Sequence, residues 1–434
     1  MGIMSDPTGR KAVAAVWRID SARIIGALTR YTGDFALAED LAQEALAEAL
    51  VTWPREGVPN NPAGWLLTVG RRRAIDAFRR RSARDEKYAA MAHHLPEGGA
   101  LTGADPGPAP DDVLWDPDQI DDDTLALMFT SCHPVLSREA GVALTLRVIG
   151  GLTSDEIARA FLVPTATVQA RITRAKKTLG AAGVPFEVPP VAQRPARLAQ
   201  VLSVVYLIFT EGSSASSGDE VIRFDLAGEA QRLTRILSRL MPEEPEVHSL
   251  LALLELTAAR FPARRGPDGE IVLLEEQDRR RWDRSAIARG RAALAKAADA
   301  GRGYGYYGLQ AAIAECHALA SSVEETNWGR IVALYDGLGR LAPSPVVDLN
   351  RAVAVSMAQG PAAALPIVDA LASAEAFKDS HQLPGVRGEL LRRLGRLDEA
   401  RTELEQAIRL CGNERERAVL TRKLAELSPS DNRG

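Results

Sequence analysis

The spacing of apolar and polar residues predicts a chain built almost entirely from helices. In residues 38–53 the apolar positions recur every three or four residues, which is the period of one buried helix face. Prolines and a glycine in residues 54–62 break this pattern, and a second helix is expected at about residues 63–81. After Arg197 the pattern stays helical nearly to the C-terminus and gives no clear strand signal. The expected fold class is therefore all-α.

A helix-turn-helix pattern occupies residues 153–179. Thr153 and Glu156 have the spacing of a capping box at the start of a helix. Pro164 belongs to the turn, and Thr165 is expected to cap the helix that follows. The buried stripe of that second helix is expected to consist of Val168, Ile172, Ala175 and Leu179.

The last third of the chain contains weak internal repeats. Residues 381–415 place small and large apolar side chains at the spacing of a tetratricopeptide helix pair, namely Gly388, Ala400, Leu404 and Ala407. Similar registers occur around Ile331 and Ala364, at uneven offsets. Degenerate tetratricopeptide-like repeats are therefore predicted, and an irregular helical bundle is the alternative.

Composition divides the chain into segments. Residues 96–123 contain nine acidic residues, no lysine or arginine, and many prolines and glycines, which is typical of a flexible linker. A second boundary is expected at residues 188–195, which read VPPVAQRP. The predicted segments are a helical domain at 10–90, an acidic linker at 91–123, a second helical domain at 124–185, a helical extension at 190–300 and the repeats at 301–430.

Several function classes find no support in the sequence. The three cysteines are far apart and odd in number, which gives neither a disulfide framework nor a CxxC metal site and fits a reducing cytoplasm. Paired catalytic carboxylates, a nucleophile triad and a dinucleotide fingerprint are not found, so no enzyme activity, cofactor or metal is predicted. The longest apolar run, residues 198–209, is too short to span a membrane and predicts a core helix.

Residues 61–81 form a basic, aromatic helix that suits single-stranded or melted DNA. Helical spacing lines up one stripe, which consists of Trp65, Thr68, Arg72, Asp76 and Arg79. Arginines neutralise phosphates, and an aromatic ring offers a face on which a base can stack. The alternative is a solvated basic helix in which Trp65 is part of the core.

The second helix of residues 153–179 has the residues of a DNA-recognition helix. Side chains opposite its apolar stripe would face a major groove, namely Gln169, Ala170, Thr173 and Arg174. Arg171, Lys176 and Lys177 are placed for phosphate contacts. The alternative is two packed helices without a DNA role. Because net charge is −4 over the whole chain, the basic segments are local patches, which argues for targeted binding.

The two basic elements together resemble the extracytoplasmic-function sigma factors of bacterial RNA polymerase. AEDLAQEALAEAL resembles their region 2.2, NPAGWLLTVGRRRAIDAFRRR their regions 2.3 and 2.4, and LTLRVIGGLTSDEIARAFLVPTATVQARITRAKKTL their region 4. The resemblance covers roughly residues 10–183. The remainder resembles a subgroup with a C-terminal tetratricopeptide-like extension, whose hallmark segment is similar to residues 197–216. There the subgroup has Asn-Glu-Gly-Tyr, and this chain has Thr210-Glu211-Gly212-Ser213.

The resemblance implies roles for individual residues. Asp40, Gln43 and Glu44 would dock on the β′ clamp helices of core RNA polymerase, and region 4 would meet the β flap. The melted −10 element would be contacted by Trp65, Arg71, Arg72, Asp76 and Arg79. The −35 element would be contacted by Gln169, Ala170, Arg171, Thr173, Arg174 and Lys177.

The expected function is therefore that of an alternative sigma factor in the cytoplasm. Its partners would be core RNA polymerase and promoter DNA, and its C-terminal extension would regulate it in cis through a groove that could also bind a regulatory protein or peptide. A conventional helix-turn-helix regulator with a helical-repeat sensor domain is the main alternative. A tetratricopeptide scaffold is a third possibility, but it leaves the recognition helix unexplained.

Overall fold

The computed structural model of the chain describes residues 7–92, 117–161, 163–213, 224–264, 266, 272–372, 377–412 and 414–427. These residues form α-helices joined by turns and short 3-10 segments, and no β-strand occurs among them. The fold is all-α, as the sequence predicts. The chain divides into two compact units, residues 1–207 and 208–434.

The first unit begins with three long helices that pack on one another. The helices of this unit are α1 (Pro7–Thr32), α2 (Phe35–Glu56), α3 (Pro62–Ala92), α4 (Pro117–Ser131), α5 (Arg138–Val148), α6 (Ser154–Phe161), α7 (Thr165–Ala181) and the first part of α8 (Arg194–Ser213). Helices α1, α2 and α3 bury a shared core that includes Ile25, Leu28, Trp53 and Leu66. The apolar stripe that the sequence predicts for α2 is buried at six of its eight positions, while Leu46 is half-buried and Leu50 is exposed.

The start of α2 is fixed by a side-chain cap. The carboxylate of Asp34 accepts hydrogen bonds from the backbone N–H groups of Ala36 and Leu37, at 2.9 and 3.1 Å. Such caps satisfy backbone donors that the first turn of a helix cannot pair internally. Because α2 carries Glu39, Asp40 and Glu44, this cap also fixes the position of those acidic residues.

The structure differs from the sequence-based expectation at three helix boundaries. Helix α3 continues to Ala92, beyond the predicted end. Helix α4 begins at Pro117, so the prediction of a linker that extends to residue 123 is wrong at that end. Thr165 does not cap α7, because its hydroxyl donates to Asp155 on α6 at 2.8 Å and Pro164 occupies the cap position.

The C-terminal end of the predicted linker is part of helix α4, and Asp123 anchors it. This residue is buried against α1, and its carboxylate lies 3.5 Å from the Arg30 guanidinium. Burial raises the pKa of Asp123 to about 6, although the Arg30 charge opposes the shift. A composition rule for disorder cannot anticipate one acidic residue that is buried beside a cation.

The raised pKa predicts a pH-dependent loss of stability. Between pH 3.8 and about 6 the folded protein holds the Asp123 proton more tightly than the unfolded chain, so stability falls as pH rises through that window. Asp123→Asn should remove this pH dependence of stability and raise the free energy of unfolding at pH 7 by about 1–3 kcal/mol.

Urea unfolding at pH 4 and pH 7 measures the free energy of unfolding of each variant, and Asp122→Asn, at the exposed neighbour, is the control. If both variants raise the free energy of unfolding equally at pH 7, burial of Asp123 is not the cause.

Helix α8 is the predicted core helix. Its apolar residues are buried, including Leu198, Val201, Val205, Ile208 and Phe209. Near its start, Arg197 donates a hydrogen bond to the backbone oxygen of Phe129 at 3.0 Å, which ties α8 to the end of α4. The first part of α8 therefore belongs to the same packed unit as α4 and α5.

The second unit is a succession of helices that pack on their neighbours in sequence. They are α9 (Phe224–Leu240), α10 (Pro245–Ala258), α11 (Arg284–Asp299), α12 (Tyr306–Leu319), α13 (Trp328–Leu341), α14 (Pro345–Gln359), α15 (Pro361–Ala370), α16 (Gln382–Arg393), α17 (Leu397–Leu410) and α18 (Glu414–Ala425). The predicted repeat corresponds to the α16–α17 pair. There a Cβ on Gly388 would lie 3.0 Å from Leu404, so the missing side chain permits close helix packing.

The hallmark segment, residues 210–213, is the last turn of α8 and packs against the first turn of α9. A Cβ on Gly212 would lie 2.4 Å from the backbone nitrogen of Ala227, so only glycine fits against α9 there. The backbone oxygen of Ser213 accepts a hydrogen bond from Arg264 at 2.8 Å. This segment therefore has a packing role in the second unit.

Candidate nucleic-acid interface

Helices α6 and α7 form the predicted helix-turn-helix. The capping box is present, because the Glu156 N–H donates to the Thr153 hydroxyl at 3.2 Å and the Thr153 N–H donates to the Glu156 carboxylate at 2.7 Å. All four predicted stripe residues of α7 are buried, namely Val168, Ile172, Ala175 and Leu179. This buried stripe orients the rest of α7 towards solvent.

The predicted base-reading face of α7 lies on the surface. Its exposed members are Gln169, Ala170, Thr173, Arg174 and Lys177, and Arg171 is half-buried. Residues in the first turns of such a helix read base edges when the helix enters a major groove. The face carries cations and small side chains, which suits an approach to a negatively charged groove.

The predicted single-strand residues lie on α3 in different environments. Trp65 is half-buried, and its ring packs edge-on against the buried Trp53 with centroids 5.6 Å apart. The Arg71 guanidinium stacks over the Tyr31 ring at 5.2 Å, so that charge is held against α1. Asp76 and Arg79 are exposed. The structure therefore places one part of the predicted stripe at the surface and anchors the other in the bundle.

Arginines of α3 pair with carboxylates of α2. Arg72 donates to Glu48 at 2.8 Å, and Arg73 donates to Glu44 at 2.9 Å and to Glu48 at 2.7 Å. The Arg73 hydrogen bond is the main reason that the pKa of Glu48 is below its ordinary value. A polar cleft of about 450 Å³ is lined by Arg73, Asp76, Arg79 and Arg80 of α3 together with Glu44 of α2. This cleft brings three arginines of α3 together with the carboxylates of Asp76 and Glu44.

The predicted polymerase-docking residues do not form one uniform acidic face. Asp40 is exposed but accepts a hydrogen bond from Lys176 of α7 at 2.7 Å. Gln43 is half-buried, and its side-chain nitrogen has no hydrogen-bond partner among the described residues. Glu44 is exposed and is paired with Arg73. Both charges of this set, on Asp40 and Glu44, are therefore already compensated by cations of the same chain.

Glu39 is a buried charge that the sequence did not reveal. Its side chain is 4% exposed, and its two oxygens contact Arg147 of α5, at 3.3 Å, and Lys176 of α7. Burial alone would lower the pKa of Lys176, but Glu39 and Asp40 outweigh it and raise that pKa above its usual value. The sequence predicts a phosphate contact for Lys176, and in this structure its ammonium group is bound to the two carboxylates of α2.

The second unit contains a groove of the kind that the repeats predict. A cavity of about 810 Å³ lies among α14, α16 and α18, with apolar walls that include Leu349, Val353, Val386 and Leu420. Charged residues stand at its margin, among them Glu389, whose pKa is lowered because Arg392 and Lys423 outweigh the effect of burial. Such a mixed lining suits a peptide or an amphipathic ligand.

Three regions of the chain match known families. Residues 20–84 match sigma-70 region 2, residues 126–179 match sigma-70 region 4, and residues 197–298 match a family of unknown function (DUF6596). The first match covers α2 and most of α3, and the second covers the helix-turn-helix. Among the described residues, no helix is both long enough and apolar enough to cross a membrane.

Two relatives extend these matches. The uncharacterized protein R00370 of Rhizobium meliloti (strain 1021) is 45% identical over 404 residues, which is 93% of this chain and 93% of that protein. The probable ECF RNA polymerase sigma factor SigI of Mycobacterium tuberculosis (strain ATCC 25618 / H37Rv) is 27% identical over 220 residues, 50% of this chain and 69% of that protein. No solved structure gave a significant match. The chain is therefore an ECF-type sigma factor that carries a C-terminal helical extension.

Proposed function

We propose that this protein binds core RNA polymerase, recognises −35 and −10 promoter elements, and promotes transcription initiation. The observation that carries the proposal is the separation of two DNA-reading surfaces onto two helical modules. One is the exposed face of α7 above its buried stripe, and the other is the arginine-rich face of α3 beside Trp65. A duplex reader and a single-strand reader together are what promoter recognition and melting require.

In this proposal each surface has a distinct task. Gln169, Thr173 and Arg174 read base edges of the −35 element, and Lys177 holds the neighbouring phosphates. Trp65 offers the ring for a base of the melted −10 strand, while Arg79 and the neighbouring cleft neutralise its phosphates. The protein acts where core polymerase acts, in the cytoplasm, and contributes no catalytic group of its own.

The C-terminal extension is proposed to support the sigma module in cis. Its first helix, α8, shares its buried surface with α4 and α5, since Arg197 is bonded to Phe129 and Val204 lies against Gly141. A chain that ends near Val184 would lose this cover and expose apolar surface beside the helix-turn-helix. We therefore expect the extension to be required for activity, and its 810 Å³ cavity to be where a regulatory protein or peptide binds.

Binding to core polymerase separates this proposal from a conventional regulator. Full-length protein is mixed with purified core RNA polymerase in the absence of DNA, and the complex is sought by size-exclusion chromatography. A sigma factor should co-elute with core at a one-to-one ratio. A protein that binds specific duplex DNA but never co-elutes with core would be a conventional helix-turn-helix regulator instead.

A further inference from the structure

Arg260, in the second unit, carries a positive charge that no carboxylate of the described residues neutralises. It stands just after α10, and its guanidinium carbon lies 5.5 Å from the centre of the Trp282 ring. Its Nε atom is buried and has no hydrogen-bond partner among the described residues. A buried cation that has lost hydration without gaining an ion pair is costly, so this guanidinium calls for a partner.

Further cations surround this guanidinium. The Arg279 guanidinium carbon lies 5.1 Å from the centre of the same tryptophan ring. Burial and the charges of Arg264 and Arg279 lower the pKa of Arg260 to about 10. Burial and the charges of Arg260 and Arg279 likewise lower the pKa of His317 to about 4, so its imidazole is neutral at pH 7. The neighbourhood therefore favours a negatively charged group.

Carboxylates on the neighbouring elements have other partners. Glu255 of α10 is bound by one arginine of α9 and one of α11. The Asp283 carboxylate caps α11, where it accepts hydrogen bonds from N–H groups of the first turn. Glu324 and Glu325 act on Arg279, where they oppose the effect of burial on its pKa. None of these acids offsets the charge of the guanidinium after α10.

Two other buried polar atoms near Arg260 also have no hydrogen-bond partner among the described residues, namely Trp282 Nε1 and His317 Nδ1. An indole N–H can only donate, so it too requires an acceptor. Arg279 is different, because its guanidinium donates to the backbone oxygens of His317 and Ala320 at 3.0 and 2.8 Å. The structure therefore holds Arg279 in place and leaves Arg260 and the indole without an acceptor.

We propose that Arg260, Trp282 and His317 belong to a binding site for a small oxyanion, a phosphate or a carboxylate. The planar fork of an arginine presents two parallel N–H donors to either group, and the bound anion would supply the missing negative charge. Because Arg260 as a whole is only half-buried, a small solute can reach it.

The proposed site gives a ligand to the part of the chain that matches a family of unknown function. Arg260, Arg264, Arg279 and Trp282 all lie within residues 197–298. The site is formed by the second unit alone, so the proposal does not depend on promoter recognition.

The alternative is that stacking on Trp282 is the whole role of Arg260. Attraction between a guanidinium and an aromatic ring recovers less free energy than a buried, unpaired charge loses with its hydration. Stacking also leaves the indole N–H without an acceptor, because it uses the face of the ring. The two interpretations differ in what an added anion does, and that difference can be measured.

Titration of the full-length protein with inorganic phosphate tests the site. Calorimetry is done at constant ionic strength, with sodium chloride as the balancing salt, and thermal unfolding is followed in parallel. One phosphate ion should bind per chain and raise the Tm, because a ligand that binds the folded state stabilises it. Acetate in place of phosphate separates the two chemistries, since the anion that binds more tightly identifies the class of ligand.

Matched variants assign the binding to these residues. Arg260→Gln should weaken phosphate binding by about 10-fold or more, and Trp282→Phe, which keeps a ring but removes the N–H, by about 3- to 10-fold. Arg280→Gln, at an exposed arginine of the neighbouring turn, should leave the affinity unchanged. Without phosphate, Arg260→Gln should unfold at the same temperature as the unchanged protein or a higher one, because it removes an uncompensated charge.

Three results would overturn the proposal. One is that neither phosphate nor acetate binds more tightly than chloride at equal ionic strength. Another is that Arg280→Gln loses as much affinity as Arg260→Gln, which would make the binding a general surface effect. The third is a lower Tm of Arg260→Gln with unchanged phosphate affinity, which would make Arg260 a purely structural residue. If Arg260→Gln does not fold, Trp282→Phe decides, and unchanged phosphate affinity in that variant rejects the site.

Discussion

Replacing Arg174 by alanine is expected to cost about 1–3 kcal/mol of discrimination at the upstream promoter element. Arg174 stands exposed on α7, directly across from the buried stripe that seats this helix on the module. Its guanidinium can donate two parallel hydrogen bonds to one guanine, and alanine offers none. With this variant, the affinity of the holoenzyme for the correct −35 element should decrease until it is close to its affinity for mutated elements. Competition titration measures both affinities.

Lys177→Ala is the matched control for that loss. Lys177 is exposed on the same helix but is placed for a phosphate, so its removal should weaken binding by a similar factor on every sequence. It should also reduce the slope of log K against log [salt] by about the amount that one phosphate contact contributes. If Arg174→Ala behaves like Lys177→Ala, with uniform weakening and no change in preference, Arg174 contacts the backbone and the base-reading assignment is wrong.

Trp65→Ala is expected to block promoter opening while leaving upstream binding intact. A ring that stacks on an unpaired base contributes about 1–3 kcal/mol, and opening depends on such contacts with the melted strand. Because Trp65 also packs edge-on against Trp53, alanine should in addition cost the bundle about 0.5–1.5 kcal/mol. Permanganate footprinting should show loss of the reactive thymines near the start site.

Trp65→Phe separates the two roles of this residue. Phenylalanine keeps an aromatic face for a base, so opening should largely recover in this variant. If Trp65→Ala opens promoters normally and only its stability falls, the residue belongs to the core and the stacking assignment is wrong. A failure of both variants to bind the upstream element would instead indicate that the whole bundle has been disturbed.

Much of the fold was predictable because its determinants are local in sequence. The capping box of Thr153 and Glu156 and the buried stripe of α7 depend on spacing within two neighbouring helices, and both predictions are confirmed. The core character of α8 and most of the apolar face of α2 are confirmed in the same way. Periodicity reports which face is buried, and that information is sufficient for these elements.

What sequence reasoning missed depends on charges that are distant along the chain. Lys176 is 137 residues from Glu39 in sequence, and no local pattern links them. Asp123 falls in the predicted acidic linker, yet it is buried and faces Arg30. Thr165 had the residue type of a helix cap, but the carboxylate of Asp155 attracts its hydroxyl instead. In each case a tertiary partner outweighs the local preference.

The same limit applies to the predicted binding residues. The family resemblance predicts docking on polymerase through Asp40, Gln43 and Glu44, but the sequence could not show that Lys176 is bound to Asp40 and Arg73 to Glu44. In the proposed function, core polymerase would have to displace these two cations in order to reach the carboxylates of Asp40 and Glu44.

Transcription with purified components tests the central claim most directly. Core RNA polymerase and the full-length protein are combined on a library of genomic fragments, and the transcripts are sequenced. The proposal predicts new transcripts whose start sites share a −35 and a −10 element, and these should disappear when Arg174→Ala or Trp65→Ala replaces the unchanged protein. If core polymerase gains no promoter-specific transcripts, the protein does not act as a promoter-recognition subunit.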